Sequence, residues 1–299
     1  MLDVVIIGSG PAGITAAIYA KRANLNVAVV EKEYLGTGQI AESSRVDNYP
    51  GIPGIDGYSL GEKFREHAES LGVELTEAQV LSLGQKDGIW IIGCDEDITL
   101  ESKAVIYATG CKNRPLGVPG EEKYYGRGLS FCAVCDGAFY KGKRVAVIGG
   151  GDTALDDAMY LSDICEKVYL VHRREFFRGS ASTLEKLKQK ENVEIIVNAR
   201  VEEITGDKKI DGIILDNKTK LNISGLFAAV GMIPQTELLK EFGVLDESNY
   251  VKASEDTKTT VNGLFAAGDV RTKQLRQVVT AAADGANAIY SVMEYLRNI

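Results

Sequence analysis

The chain has 299 residues, of which 45% are hydrophobic and 25% charged, a length and composition that allow two ordinary globular domains. It contains no run of roughly 18 apolar residues and no basic leader, so we expect a cytoplasmic protein without membrane contact. The formal net charge of −8 argues against a nucleic-acid-binding surface.

The first predicted unit opens with a strand, a glycine turn and a helix. The apolar residues 3–7 stop at the turn, and residues 14–22 have helical spacing. Gly8 allows the tight turn, Gly10 lets backbone amides approach a pyrophosphate, and Gly13 lets the helix pack closely on the strand. The whole turn reads Gly8, Ser9, Gly10, Pro11, Ala12 and Gly13.

An acidic residue completes this pattern. A second apolar run at 27–30 ends in Glu31, which is placed to accept hydrogen bonds from ribose hydroxyls. Because strand, turn, helix and acid occur in this order, we predict an adenine-dinucleotide site here rather than a chance glycine turn.

The rest of the first unit is predicted from composition and hydrophobic runs. Residues 36–61 are rich in Gly, Pro, Ser and Asn and indicate a long loop. Loops of this length usually contact another part of the protein or a ligand. A helix at about 60–71 and strands near 73–75, 89–92 and 104–107 follow, and the last strand ends in Ala108, Thr109 and Gly110. Pro115 and Pro119 mark a linker where this unit stops.

Two of the five cysteines form a motif. Cys132 and Cys135 have the spacing of a reactive dithiol, and the carboxylate of Asp136 could carry protons to and from a leaving thiolate. Cys94, Cys111 and Cys165 are scattered singly and are most simply small apolar fillers. The alternative, half of a zinc site, lacks a second close pair and has only two histidines in the chain to draw on.

The second unit repeats the first. A strand at 144–148 and a helix at 153–161 flank a turn, and the next strand lies at 168–171. His172 follows Gly149 by 23 positions, as Glu31 follows Gly8 by 23. The turn and the residues after it read Gly149, Gly150, Gly151, Asp152, Thr153 and Ala154.

Cations replace the acid in this repeat. Arg173, Arg174 and Arg178 follow His172, and guanidinium groups would bind a 2′-phosphate that a carboxylate would repel. We therefore predict a preference for NADP(H) over NAD(H), against the alternative of a solvated surface cluster.

The chain then returns to the first unit. Residues 225–231 close the repeat, residues 232–243 form a second linker, and Gly268-Asp269 follows another short apolar run. An Asp at a strand end beside glycines suits a sugar-hydroxyl or flavin-chain contact. The final helix at 278–296 could belong to the hydrophobic core rather than to a binding site. One domain is thus inserted in the other.

These motifs together resemble the low-molecular-weight, bacterial-type thioredoxin reductases over essentially the whole chain. The most specific is a Cys-x-x-Cys-Asp inside the inserted domain. The matching segments are 8–13 with Glu31, 48–51, 108–110, 132–136, 149–154, 172–174 with Arg178, 268–269 and 276–277.

The resemblance implies an α/β fold with two Rossmann-like dinucleotide-binding domains. An FAD-binding domain would comprise 1–113 and 245–299, and an NADPH-binding domain 117–242 would carry the redox-active disulfide. The implied FAD contacts are Gly8, Ser9, Gly10, Pro11, Ala12, Gly13, Glu31, Lys32, Gly38, Gln39, Asn48, Val80, Ala108, Thr109, Gly110, Gly268, Asp269, Arg276, Gln277 and Val278. The implied NADPH contacts are Gly149, Gly150, Gly151, Asp152, Thr153, Ala154, His172, Arg173, Arg174, Arg178 and Gly231.

The resemblance also implies the catalytic roles. Cys135 would face the flavin, Asp136 would act as acid and base, and Cys132 would attack the disulfide of thioredoxin. Such enzymes are typically homodimers, and no metal is expected. The sequence departs from the family pattern at Thr37, Val134 and the run 283–285.

A hinge follows from the chemistry itself. The nicotinamide and the disulfide both need near contact with one flavin surface, and both lie on the inserted domain. We therefore predict that the linkers 114–120 and 230–244 let this domain turn between two poses.

Other functions stay open at this point. A ferredoxin or flavodoxin NADP reductase shares the two-site layout but would not need Cys132 or Cys135. A relative that takes electrons from ferredoxin would not need the glycine turn at 149–154 or the arginines. Another disulfide reductase would act on a different protein substrate. A flavin-based redox sensor would be recognised by NADPH failing to bleach its flavin.

Overall fold

A computed structural model describes residues 1–33, 37–43 and 45–299 of the chain. Positions 36 and 44, which belong to the predicted loop at 36–61, lie outside the described residues. The chain forms two compact units, Met1–Lys112 with Ile233–Ile299, and Asn113–Met232. None of the described helices combines the length and apolar character that a membrane span requires.

The elements follow one another in a mixed α/β order. The strands are β1 (Leu2–Ile7), β2 (Val27–Glu31), β3 (Glu74–Glu77), β4 (Val80–Lys86), β5 (Ile89–Cys94), β6 (Thr99–Tyr107), β7 (Cys111–Asn113), β8 (Leu129–Ser130), β9 (Arg144–Gly149), β10 (Lys167–Val171), β11 (Val193–Ile196), β12 (Val201–Thr205), β13 (Gly212–Leu215), β14 (Lys220–Asn222), β15 (Gly225–Ala229), β16 (Met232–Pro234) and β17 (Leu264–Ala266). The α-helices are α1 (Pro11–Arg22), α2 (Gly57–Ser70), α3 (Ala133–Asp136), α4 (Asp152–Ser162), α5 (Ala181–Lys188) and α6 (Val278–Leu296). Short 3-10 helices lie at Gly38–Glu42, Glu121–Tyr124, Gly137–Tyr140, Glu237–Phe242 and Gly268–Val270.

The first unit is built on a mostly parallel sheet. Its strand order is β3-β2-β1-β6-β5-β4, and β17 pairs with the carboxyl half of β6. The pairs β1–β2, β1–β6, β2–β3 and β17–β6 are parallel, whereas β4 and β5 add antiparallel strands to the amino half of β6. The apolar strands β1 and β2 are buried on both faces, as in a sheet covered by helices on each side.

Helices α1 and α6 pack closely in this unit. Gly285 of α6 has no room for a side chain, because a Cβ there would overlap the carbonyl oxygen of Ala12. Gly13 is equally confined, since a Cβ would overlap the carbonyl oxygen of Gly8. The third glycine of the predicted turn therefore allows the close approach of helix and strand.

The second unit contains a five-stranded parallel sheet with the order β11-β10-β9-β15-β8. A separate antiparallel sheet, β12-β13-β14, lies between β11 and β15 in sequence. Because all five strands run in one direction, their carboxyl ends meet at one edge of the sheet. Together, the parallel sheets and α/β order of the two units confirm the predicted fold class.

Some elements differ from the sequence predictions. Helix α2 begins at Gly57 rather than residue 60, because the Asp56 side chain accepts the amide of Ser59 and caps the helix. The predicted loop at 36–61 contains the 3-10 turn Gly38–Glu42. The inserted segment was expected to end at 242, whereas the first unit resumes at Ile233, because Leu239 is buried in its core.

Candidate active site

Cys132 and Cys135 form a disulfide in the second unit, with their Cα atoms 5.3 Å apart. Cys132 follows the carboxyl end of β8 and caps helix α3, where its Sγ accepts the amide of Cys135 at 3.2 Å. Val134, between the two cysteines, is 59% exposed. The two cysteines on either side of it are half-buried.

The carboxylate of Asp136 is held beside this pair by a neighbouring serine. Ser130, the last residue of β8, donates its hydroxyl to Asp136 Oδ2 at 2.6 Å. Burial raises the pKa of the Asp136 carboxyl above its ordinary value, and the hydrogen bond from Ser130 opposes part of this rise. A carboxyl with a raised pKa is suited to hold and release a proton nearer neutral pH. The sequence analysis missed Ser130, whose only signal is its place two residues before Cys132.

The glycine turn after β9 lies at the same sheet edge as the disulfide. The carbonyl oxygen of Gly150 accepts the amides of Arg178 and Gly179 at 2.7 and 3.2 Å, which brings the arginine-bearing loop onto the turn. Helix α4 then begins after Gly151 without a side-chain cap, and Gly179 packs closely on its first turn, where a Cβ would lie 2.8 Å from the Asp152 amide nitrogen.

His172 and the arginines beside it differ in exposure. The imidazole is only 6% exposed and packs against the ring of Phe177, with centroids 4.8 Å apart. Burial lowers the pKa of His172, and the ring leaves no room for a side chain at Gly150. Arg173, Arg174 and Arg178 are exposed. His172 therefore packs under the turn, and the three arginines are the exposed cations beside it.

In the first unit, the turn after β1 lies beside the acid at the end of β2. Glu31 Oε2 accepts both the amide and the hydroxyl of Ser9, at 2.9 and 3.0 Å. A cavity of about 150 Å³ opens here, and helix α1 begins after Gly10 without a side-chain cap. The lining residues include Ser9, Glu31, Thr37, Arg65, Thr76 and Glu77.

The turn after β17 carries a buried carboxyl group. Asp269 Oδ1 is buried without a hydrogen-bond partner in the part of the chain that the structure describes. Burial raises the pKa of Asp269, and the charges of Lys273 and Arg276 oppose this rise. Arg276 Nε donates to the carbonyl oxygen of Asp269 at 3.2 Å. A buried acceptor left open in this way indicates a missing hydroxyl or amide donor.

Other residues predicted to contact the flavin lie in the same unit, and two of them, Asn48 and Gln277, are hydrogen-bonded to each other. Asn48 Nδ2 donates to Gln277 Oε1 at 2.9 Å, although the two residues lie far apart in sequence. Thr109 Oγ1 donates to the carbonyl oxygen of Gln235 at 2.7 Å. Val80 begins β4 and packs partly buried against a core cluster of the same unit.

A buried ion cluster around Asp284 supports the Gly268 turn. Asp284 Oδ2 accepts the amide of Gly268 at 2.8 Å, and both carboxylate oxygens accept Arg271 at 2.8 and 2.6 Å. Lys273 Nζ donates to Oδ2 at 2.9 Å. Burial alone would raise the pKa of Asp284, but the hydrogen bonds from Arg271 and Lys273 hold it below its ordinary value.

The residues of each unit fit a bound dinucleotide. Both glycine turns precede a helix whose first amides lack a side-chain cap, which is the arrangement that binds pyrophosphate. The open carboxyl oxygen of Asp269 adds an acceptor for a polyol chain in the first unit. In the described ranges, no group of His, Cys, Asp and Glu side chains could hold a metal ion.

Comparisons with known proteins agree with this geometry. The family model of the pyridine nucleotide-disulphide oxidoreductases matches residues 2–285. The chain is 40% identical over 310 residues to a thioredoxin reductase of Helicobacter pylori, covering 100% of both proteins. It is 38% identical to a thioredoxin reductase of Bacillus subtilis, covering 99% of this chain and 95% of the relative. The crystal structure of a thioredoxin reductase from Streptococcus pyogenes superposes with a TM-score of 0.93 at 40% identity, over 100% of this chain and 99% of the other.

Removing the buried carboxylate at position 284 should destabilise the first unit. Asp284→Ala removes the carboxylate that pairs with the buried cations Arg271 and Lys273 and leaves Arg271 the longer pair with Glu255 at 3.5 Å, which should cost about 3–5 kcal/mol of unfolding free energy. The measurement is urea unfolding followed by fluorescence of Trp90, the single tryptophan, which lies in the core of this unit.

Glu294→Ala is the matched control on the same helix. It removes an exposed ion pair with Lys258, 2.7 Å long, and should cost less than about 1 kcal/mol. Equal losses in the two variants would contradict the support that we assign to Asp284.

Proposed function

The chain belongs to the pyridine nucleotide-disulphide oxidoreductases and, within them, to the bacterial-type thioredoxin reductases, and on that basis we propose that it reduces the disulfide of a thioredoxin with electrons from NADPH. The family implies a flavin and a nicotinamide cofactor, which we propose to be FAD and NADPH. We further propose a cytoplasmic homodimer.

One observation carries this proposal. The Cys132–Cys135 disulfide follows β8, and the glycine turn at Gly149–Gly151 follows β9, while both strands flank β15 in one parallel sheet. A reducible sulfur pair and a nucleotide turn thus share one edge of one sheet. A reductase that moves electrons from a nicotinamide to a disulfide needs both of these features.

The cofactors supply the hydride chemistry. When bound, the flavin and the nicotinamide would supply hydride transfer and two-electron transfer toward the Cys132–Cys135 disulfide. We assign the flavin to the turns around Gly8, Glu31 and Asp269, with Asp269 Oδ1 accepting a hydroxyl of the ribityl chain. We assign the 2′-phosphate of NADPH to the exposed guanidinium groups of Arg173 and Arg174.

The protein side chains carry the thiol chemistry. In the reduced pair, the Cys132 thiolate attacks one sulfur of the thioredoxin disulfide, and the other substrate sulfur leaves as a thiolate that takes a proton from Asp136. Cys135 then gives its proton to Asp136 and attacks Cys132 Sγ, which re-forms the Cys132–Cys135 bond, and the second substrate sulfur leaves as a thiolate that takes that proton. Two electrons pass to thioredoxin, and the pair returns to its oxidised state.

A change of domain pose is part of this proposal. The nicotinamide and the disulfide each need near contact with the flavin, and one flavin face cannot serve both at once. We assign FAD to the discontinuous domain and NADPH to the inserted one. The linkers 114–120 and 230–244 would absorb the rotation between the two poses.

Serine at either cysteine should abolish thioredoxin reduction. Cys132→Ser and Cys135→Ser should each lower NADPH-dependent thioredoxin reduction by roughly 1,000-fold or more, because neither can complete the disulfide cycle. Cys165→Ala is the control, since Cys165 is a buried free thiol of the same unit. The assay follows NADPH oxidation with thioredoxin as acceptor.

An unchanged rate in both cysteine variants would overturn the thioredoxin reductase proposal. It would favour a ferredoxin or flavodoxin NADP reductase, which passes electrons without a dithiol. A parent protein that oxidises NADPH but reduces a different protein disulfide would instead correct the substrate alone.

Removing the charges of Arg173 and Arg174 should weaken the preference for NADPH over NADH. Arg173→Ala with Arg174→Ala should raise KM for NADPH by about 10- to 100-fold and leave KM for NADH nearly unchanged, because only NADPH carries the 2′-phosphate. Arg200→Ala, which removes another exposed arginine of this unit, should change neither. Parallel losses with both nucleotides would contradict the assignment.

A further inference from the structure

Ser130 connects the sheet to the catalytic segment. Its backbone lies in β8, where it pairs in register with Phe227 of β15, and its side chain is only 6% exposed. Its hydroxyl oxygen accepts the amide of Cys132 at 3.1 Å and donates to Asp136 Oδ2 at 2.6 Å. One hydroxyl thus joins the attacking cysteine, the proton-carrying carboxylate and the sheet.

This geometry leaves little freedom for the Asp136 carboxylate. The described chain offers it one side-chain hydrogen-bond donor, Ser130. A hydroxyl has one hydrogen, and the 2.6 Å contact with Asp136 Oδ2 takes it in preference to the Cys132 carbonyl oxygen at 3.4 Å, while a lone pair of the hydroxyl accepts the Cys132 amide. Because β8 fixes the serine backbone, the direction of the donated hydrogen bond is set by the sheet.

We propose that Ser130 is a positioning residue that orients the Asp136 carboxyl for proton transfer at the Cys132–Cys135 pair. The inference rests on the proposed function for the role of Asp136, but its test does not need NADPH, flavin or thioredoxin. The hydroxyl acts through Asp136 and does not itself take part in the sulfur exchange.

Removal of the hydroxyl has two separable effects. The carboxyl loses its orientation, which lowers the rate at every pH. It also loses a hydrogen bond that favours its ionised form, so the pKa of Asp136 rises further above its ordinary value. The titratable groups that face this carboxyl are Tyr140 and the two thiols of the reduced pair. Burial and the charge of Asp136 raise the pKa of Tyr140.

Reduction of the disulfide by dithiothreitol isolates this step. A dithiothreitol thiolate attacks one sulfur of the Cys132–Cys135 bond, and the other sulfur leaves as a thiolate that takes a proton from Asp136. The second dithiothreitol thiol then resolves the mixed disulfide. Two electrons pass from dithiothreitol, which becomes a cyclic disulfide, to the protein pair, which becomes two thiols.

The experiment measures the rate of this reduction against pH in the full chain. Ser130→Ala should lower the plateau rate of disulfide reduction by roughly tenfold. It should also move to higher pH the limb of the pH–rate profile, that is, the change in rate that accompanies ionisation of Asp136. That limb is identified by its absence in Asp136→Asn. Ser130→Thr, which keeps the hydroxyl, should restore most of the rate and the position of the limb.

Ser162→Ala is the matched control. Ser162 has the same 6% exposure, lies in the same unit and donates its hydroxyl to the Met159 carbonyl oxygen at 2.6 Å. This variant should keep the parent profile. A double variant, Ser130→Ala with Asp136→Asn, should be no slower than Asp136→Asn alone, because the serine acts through the carboxylate.

Three outcomes would overturn the proposal. The first is a Ser130→Ala pH–rate profile equal to that of the parent, and the second is a loss of rate with no shift of the limb. The third is that Ser130→Ala lowers the reduction rate of Asp136→Asn by the same factor as it lowers that of the parent. The proposed function fails separately, if the parent chain does not pass electrons from NADPH to a protein disulfide. Either result can therefore occur without the other.

Discussion

The parallel pairing of strands is the constraint on which the functional arrangement of each unit depends. In the second unit, β9 pairs in parallel with β10 and β15, and β15 pairs in parallel with β8. Parallel strands end at one edge, so the glycine turn 149–151, the loop that carries Arg173, Arg174 and Arg178, and the Cys132–Cys135 disulfide all lie there. The first unit follows the same rule, because β1, β2, β6 and β17 deliver the turns at Gly8, Glu31, Ala108 and Gly268 to a single edge.

Buried polar contacts then hold these turns in place. In the first unit, the carboxylate of Asp284 binds the Gly268 amide together with Arg271 and Lys273. In the second unit, the hydroxyl of Ser130 binds Asp136 and the Cys132 amide. In each case a group outside the reacting atoms fixes a backbone turn or a carboxyl that the proposed chemistry needs. Rigid support of this kind keeps reacting groups in position at little further entropic cost.

Local patterns could be predicted from the sequence, whereas long-range contacts could not. The strand, turn and helix around Gly8 and around Gly149 are encoded within short windows, and the structure confirms these elements. The ion cluster of Asp284 joins residues of a loop and a helix, and no periodicity announces it. Ser130 has no motif of its own, and the burial of His172 follows from packing against Phe177. The early return of the chain at Ile233 likewise depends on the tertiary burial of Leu239.

In the proposed cycle, one chain moves electrons from a nicotinamide through a flavin to the Cys132–Cys135 pair. The most direct test is an anaerobic titration with NADPH that counts electrons taken up per flavin. The parent protein should take up roughly four electrons, two for the flavin and two for the disulfide, and Cys135→Ser about half that number. Equal uptake by the two proteins, or a purified chain that holds no flavin, would contradict this cycle.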